Sequence, residues 1–499
     1  MGARGGKSGT AGATEQLNRP GGGAGHAPRP DDHPGPEERV ARGLAARSAV
    51  PPGELGDFEP AADRPGVADV LADQARTRVP ELVPIRHARM AVSPFTFFRG
   101  HAKGMAIDLA PGPVSGISVQ LCGDAHLSNF GVFASPERHL LFDVNDFDET
   151  HPGPWEWDVM RLVASIAVAG RANGFSGKQR RACVLGTAER YREAMAQFAG
   201  MRFLDVWYSH ADVDELRGEV LPKLSAKRRQ TMEKNLGKAR SSGNLKALAK
   251  LTELVDGELR LRSDPPLMVP LGELLPEDDR ADLVARMLGL LQHYRGTLPS
   301  DRRMLFDRFE FLDIARKVVG VGSVGTRCWV VLLRGRDDQD PLFLQVKEAE
   351  ASVLEAAIPA AMRPAEPFGN QGERVVKGQR LMQAASDIFL GWQRVDQGID
   401  GVGRDFYVRQ LRDMKGSALI DQMNPPTMTL YGQYCAWTLA RAHARSGDDI
   451  AIAAYLGDDD GFATAMARFA ETYADQTERD HAAFVDAIGS GRLPAAASV

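Results

Sequence analysis

A chain of 499 residues, 43% hydrophobic and 25% charged, is long enough for two or three packed units and needs no disulfide or metal staple to hold a core. The 61 Lys plus Arg against 66 Asp plus Glu leave a formal net charge of −5, so no basic field recruits nucleic acid, and the four cysteines, Cys122, Cys183, Cys328 and Cys435, form no CxxC pair that would signal structural zinc. With no apolar run of membrane-spanning length and no secretory signal, the expectation is a soluble, cytoplasmic protein with no membrane partner.

Residues 1–65 are dominated by Gly, Pro, Ala and charge, as in RPGGGAGHAPRPDDHPGP, and hold too few large apolar groups to offset the entropy of ordering. A disordered tail is expected there. Its opening letters MGARGGKS mimic a phosphate-binding loop, but Met1 stands where the first glycine is needed and no strand precedes it. Folded texture is expected from Ile85, through the aromatic SPFTFFRG and the strand-like ISVQLCGD. Residues 66–310 read as a helical lobe, with WDVMRLVASIAVAGR, RRACVLGTAERYREAMAQFAGMRFL and ADLVARMLGLLQHYRG showing apolar residues at three and four spacing. Within it, the basic run LPKLSAKRRQTMEKNLGKAR reads as a solvated helix face. Residues 311–415 change to strand patterning in five runs, an antiparallel unit with one or two helices, and residues 416–499 return to helices that complete the helical lobe.

The motifs carry chemistry. In GVGSVG, Gly320, Gly322 and Gly325 have the GxGxxG spacing of both dinucleotide-binding and kinase-type loops. A dinucleotide loop opens a helix, whereas TRCWVVLL continues here as a strand, which favours the kinase arrangement over the dinucleotide one. A plain hairpin using glycine for positive φ is the bland alternative. Lys347 closes the next strand in LFLQVK, where a kinase lysine reaches the α- and β-phosphates, and a carboxylate on the following helix should hold it. Glu355 is preferred to Glu373 because its helix is expected to follow the strand directly.

In LCGDAHLSN, Asp124 and Asn129 lie five residues apart, as do the catalytic aspartate and metal-binding asparagine of a kinase loop. With His126 between them, the stretch resembles the HGDxHxxN loop of aminoglycoside and choline phosphotransferases, Cys122 standing in place of the first His. HLLFDVNDFDE offers the second carboxylate that Mg²⁺ needs: Asp146, by likeness to the IDFD element of those enzymes, with Asp148 as a candidate second ligand. Asp143 is left to hydrogen-bond within the loop, and Asp158 to brace the catalytic loop from the start of a helix. The glycine loop follows the catalytic loop in the chain, the reverse of an ordinary kinase, so the set reads as circularly permuted. TLARAHARSGD, with His443, resembles the helix that normally runs into the catalytic loop.

Through SPFTFFRG, GDAHLSNFG, NDFDE, LQVKEA, GQRLMQAASDIFLGW and FYVRQLRDMKG, the chain resembles a bacterial family, domain of unknown function 2252, from about residue 85 to its C-terminus. The resemblance implies no particular substrate. The combined expectation is an α+β, bilobal protein-kinase-like fold, circularly permuted, with an antiparallel five-strand lobe and a larger helical lobe. Its function would be ATP- and Mg²⁺-dependent phosphoryl transfer to a small hydroxylated acceptor. Asp124 and His126 would be catalytic; Gly320, Gly322, Gly325, Lys347 and Glu355 would bind nucleotide; Asn129, Asp146 and Asp148 would hold the metal. Three other readings stand beside it: a non-catalytic nucleotide-binding regulator, an AMP transferase on the same fold, and a metallohydrolase built on His101, Asp124, His126, Asp146 and His151. Oligomeric state is left open.

Overall fold

The structure, a computed structural model, describes residues 34–220, 226–275, 283–398, 400–411 and 414–497. Its centre is the helix Trp155–Ala172, buried at every position from Trp155 to Gly170. A helix buried on every side lies inside a core rather than on a surface, and three long helices surround this one: Gly177–Ala199, Pro425–Ser446 and Gly461–Gly489. Trp155 stacks on Tyr191 with ring centroids 5.5 Å apart, and Phe462 tilts against both. Two of the surrounding helices have starts written in their sequence. Ser176 and Gln179 form a capping box, and Asn424 caps a helix that opens with two prolines. No helix among the described residues is long and apolar enough to cross a membrane.

The strands are β1 (Ser118–Leu121), β2 (Phe130–Ala134), β3 (Leu140–Val144), β4 (His151–Pro154), β5 (Thr252–Val255), β6 (Glu258–Leu261), β7 (Met268–Pro270), β8 (Glu310–Lys317), β9 (Cys328–Arg334), β10 (Pro341–Ala349), β11 (Gly391–Val395), β12 (Arg404–Gln410) and β13 (Gly416–Ser417). The main sheet has six strands in the order β11-β12-β10-β9-β8-β7, all antiparallel. The five expected strands are all present. The sixth, β7, comes from a stretch read as helical, as does the β5–β6 hairpin, because two short strands beside helical periodicity are swamped in a wide window.

Every residue of β10 is buried, because both faces of the sheet are covered. Leu342, Leu344 and Val346 pack with Ile314, Val331 and Phe406, while Phe343 packs with Ala315, Val330 and Leu332 under the helix Asn244–Leu251. By strand alternation Lys347 shares the Phe343 face.

The expected tail needs correction. Residues 1–33 lie outside the described residues, but Pro36–Ala49 is a helix and Leu55 is fully buried. The helix is held by its ends: Arg39 pairs with Asp448 at 2.7 Å and Asp449 at 3.0 Å, and Arg47 donates to the carbonyls of Tyr455 and Leu456. These partners lie some four hundred residues away, so local composition gave no sign of them. Ordered chain also precedes Ile85, in the helix Val67–Ala75. The basic helix Ala226–Arg240 is largely exposed, the bland outcome; residues 221–225 of that run lie outside the described residues.

Glu156 offers a test of this core. It is fully buried, accepts from the Ser115 backbone N–H at 2.5 Å, and burial pushes its carboxyl up to about 7. A carboxyl raised on folding binds its proton more tightly in the native state, so stability should fall as pH rises from about 4.5 to about 7. Glu156→Gln should flatten this slope, which reaches about 3 kcal/mol at most. Urea unfolding of both chains at pH 5 and pH 8 reads it; parallel pH profiles would sink the assignment.

Candidate active-site cleft

LCGDAHLSN leaves β1 in a tight turn. Gly123 has φ +85°, and a Cβ there would lie 2.2 Å from the Glu149 carbonyl oxygen, so only glycine lets the turn rest on the segment that follows β3. Asp158 fixes the same turn from the central helix. Its carboxylate accepts from the N–H groups of Cys122 at 2.8 Å and Gly123 at 3.0 Å, with His443 Nε2 at 3.3 Å. This is the brace expected of Asp158, with His443 added to it.

Asp124 follows. Its Oδ1 accepts from Arg161 Nε at 2.8 Å, and His126 Nε2 lies 3.6 Å from Oδ2. Arg161 is itself held by SPFTFFRG: it donates to the Phe98 carbonyl at 2.7 Å and lies 3.8 Å above the Phe98 ring. Burial pushes the Asp124 carboxyl up against the pull of Arg161. Burial pushes the His126 imidazole well down, and Arg99 and Arg161 add to that. Asn129 donates through Nδ2 to the Asp124 carbonyl at 2.7 Å, closing the loop on itself.

After β3 the chain delivers Asp146 and Asp148. Asp146 Oδ1 is buried without a hydrogen-bond partner; the nearest cation, Lys347 Nζ, is 3.6 Å away. Burial and the neighbouring Asp148 raise its carboxyl above the ordinary range. Asp148 is fully engaged, accepting from Lys347 Nζ at 2.5 Å, Tyr407 Oη at 2.6 Å and Ser323 Oγ at 3.3 Å. Burial alone would raise it, but Lys347 and Tyr407 outweigh that and hold it low.

The partner of Lys347 is therefore an aspartate of the loop and not a helical glutamate. Glu355 lies in a turn, because the chain after β10 forms no α-helix until Gln371–Met382, and Glu373 on that helix pairs with Lys377 at 2.8 Å. What the helix contributes is Arg374. It is 1% exposed and donates to the carbonyls of Thr150, Asp148 and Glu350, clamping the aspartate loop to the end of β10. Asp143 also differs from expectation: it lies in β3, 1% exposed, with both carboxylate oxygens accepting from Arg441 Nη2, at 2.8 and 3.0 Å.

The glycine loop joins β8 to β9. Gly320 and Gly325 have positive φ, and a Cβ on Gly322 would sit 3.2 Å from the Arg99 carbonyl, so the tip of the loop rests on SPFTFFRG. Arg78 donates to the Val324 carbonyl at 2.6 Å and Arg89 to that of Gly320 at 2.8 Å. Between loop and helices lies a cavity of about 150 Å³, lined by Asp124, His126, Asn129, Asp146, Asp148 and the glycine loop, with Arg78, Arg86 and Arg99. The sequence-derived set thus converges on one place, apart from Glu355. Sequence reasoning missed Arg161, Arg374, Arg441 and Tyr407; a buried-face position within a helical or strand pattern was the one signal each carried.

The metallohydrolase set is not assembled: among the described residues no group of three or more His, Cys, Asp or Glu is placed to hold a metal ion. His151 instead bonds the Pro152 carbonyl through Nδ1 and packs on Phe368.

Fold and cleft together define a mixed α+β protein in which a glycine-looped antiparallel sheet presents a buried lysine to carboxylates from a helical body. The chain belongs to the family described as "Uncharacterized protein conserved in bacteria (DUF2252)", whose model matches residues 78–487. No curated protein and no solved structure matches it.

Proposed function

We propose that the protein is a phosphotransferase of kinase-like, circularly permuted fold that uses ATP and Mg²⁺ to phosphorylate a small hydroxylated acceptor. The observation that carries this reading is the meeting of Lys347 with Asp148 and Asp146, at 2.5 and 3.6 Å, across 199 residues of chain in the first case. A sheet lysine, a glycine loop and two loop carboxylates have no structural need to share a cleft; phosphoryl transfer needs all of them. Motif order fits permutation physically. The helix Pro425–Ser446 ends where the Ser446 hydroxyl accepts from the Gln120 N–H at 3.2 Å, so it meets the strand that leads into Asp124, although it comes 326 residues later in sequence.

The donor set fits a hard cation. Asp146 has a buried carboxylate oxygen with no hydrogen-bond partner, and Asn129 lines the same cavity. Mg²⁺ is commonly held by one or two protein oxygens plus phosphate and water, so a full protein cage is not required. Bound there with ATP, the ion would neutralise phosphate charge. Asp124 would orient the acceptor hydroxyl and take its proton, and Lys347 would exchange Asp148 for phosphate oxygens. A cavity of about 150 Å³ is smaller than the roughly 300–1,000 Å³ of ordinary ligand pockets. Entry of a nucleotide therefore means lifting the glycine loop off Arg99.

MgATP binding by calorimetry tests the reading. Lys347→Met should weaken it by about ten-fold or more, since a charge-assisted bond to phosphate is lost. Equal affinity in both folded proteins would sink the assignment.

A further inference from the structure

Three arginines line the cleft with no carboxylate among the described residues in ion-pair contact, although Glu350, Glu149, Glu348 and Asp148 act on Arg78 from farther off and Asp124 acts on Arg99. Arg86 is 1% exposed; one terminal nitrogen donates to the Gly100 carbonyl at 2.7 Å, while Nε and the other terminal nitrogen are buried with no partner. Arg78 spends one terminal nitrogen on the Val324 carbonyl and leaves Nε buried and unpartnered, and Arg99 Nε is in the same condition. All three belong to the cavity lining, and among the described residues none forms an ion pair with a carboxylate. Two other buried guanidinium groups are matched by carboxylates, Arg441 by Asp143 and Arg161 by Asp124, while Arg374 spends its N–H groups on backbone carbonyls and one side-chain amide. Arginine keeps its charge in proteins, and an unpaired buried charge is expensive to hold. For Arg86, burial and then the like charge of Arg78 push the guanidinium well down, with no anion acting against them.

We propose that Arg78, Arg86 and Arg99 form an oxyanion subsite, and that the acceptor carries a phosphate-type group there in addition to the hydroxyl that faces Asp124. The proposal rests on the phosphotransferase reading for the word acceptor, but the subsite stands on its own geometry. The arginines enter from residues 78–99 and the carboxylates that would face metal and hydroxyl from residues 124–148, and Glu149, Glu348 and Glu350 complete a lining that carries both signs of charge. Guanidinium forks match phosphate oxygens two at a time. At about 30 Å³ per water, a cavity of about 150 Å³ holds about five waters, enough for one such group even with the glycine loop down.

Calorimetric titration of the full chain with inorganic phosphate tests this. Saturable binding is expected in the parent, weakened by about ten-fold in Arg99→Gln and in Arg78→Gln and unchanged in Arg202→Gln, an exposed arginine outside the cavity. No saturable binding, or equal binding in all four proteins, overturns the subsite. Repeating the titration with Mg²⁺ and a non-hydrolysable ATP analogue present separates the two sources of phosphate. Retained binding assigns the group to the acceptor; competition would assign the arginines to the nucleotide and overturn that part. If phosphate binds in an arginine-dependent way but the analogue does not bind at all, the subsite stands and the phosphotransferase reading falls.

Discussion

Asp124→Asn is expected to lower phosphoryl transfer by about two to four orders of magnitude while leaving MgATP affinity within a few-fold of the parent. The substitution is nearly isosteric, and an amide oxygen can still accept from Arg161 Nε, so the loop should hold its shape. What disappears is the ability to take a proton. Burial raises the Asp124 carboxyl, which makes it a better base than an exposed aspartate, and Arg161 pulls against that rise. Coupled measurement of ADP release alongside calorimetry separates the two effects. Equal turnover in both proteins would remove Asp124 from the chemistry, and a parallel loss of binding would make its role structural.

The second large effect should fall on stability. Asp143 and Arg441 are each 1% exposed and joined by two bonds, and Asp143 also accepts from the Ala384 N–H at 2.8 Å. Removing one partner leaves the other charged and dry, at a cost of about 3 to 5 kcal/mol for Arg441→Met. Asp143→Asn should cost less, because an amide still offers an acceptor to Arg441. In the double variant the costs should fail to add, with a coupling of at least about 1 kcal/mol, because neither charge is then stranded. Denaturant midpoints of the four chains decide it; simple additivity would mean that the pair contributes nothing as a pair.

These two sites differ in how far they could be read from the sequence. Asp124, Asn129, Asp146 and the glycine triplet are fixed by short spacings, because loop chemistry needs particular residues at particular short intervals. The main sheet was legible for a related reason: LFLQV and CWVVLL are continuous apolar runs of strand length. Arg441 was not legible, because a helix pattern reveals which face is buried but not which carboxylate awaits an arginine on that face. The same limit hid Arg161 behind the apolar run of its helix. Glu355 misled in the opposite direction, since AEASVLEAA has helical composition yet runs as a turn. There Ser352 is tied to the Glu149 carbonyl at 2.8 Å and Val353 to the Glu149 side chain at 2.8 Å, tertiary bonds that outweigh local propensity.

The bonds that close the cleft also set when it can exist. Lys347 meets Asp148 across 199 residues, His443 meets Asp158 across 285 and Arg441 meets Asp143 across 298. Contacts of such separation are slow to form and come late, whatever their final strength. During synthesis the loop bearing Asp124 emerges early and must wait for the helix Pro425–Ser446 before its braces arrive. Chains cut short before residue 441 would carry every loop aspartate in sequence but lack the braces that Arg441 gives Asp143 and His443 gives Asp158.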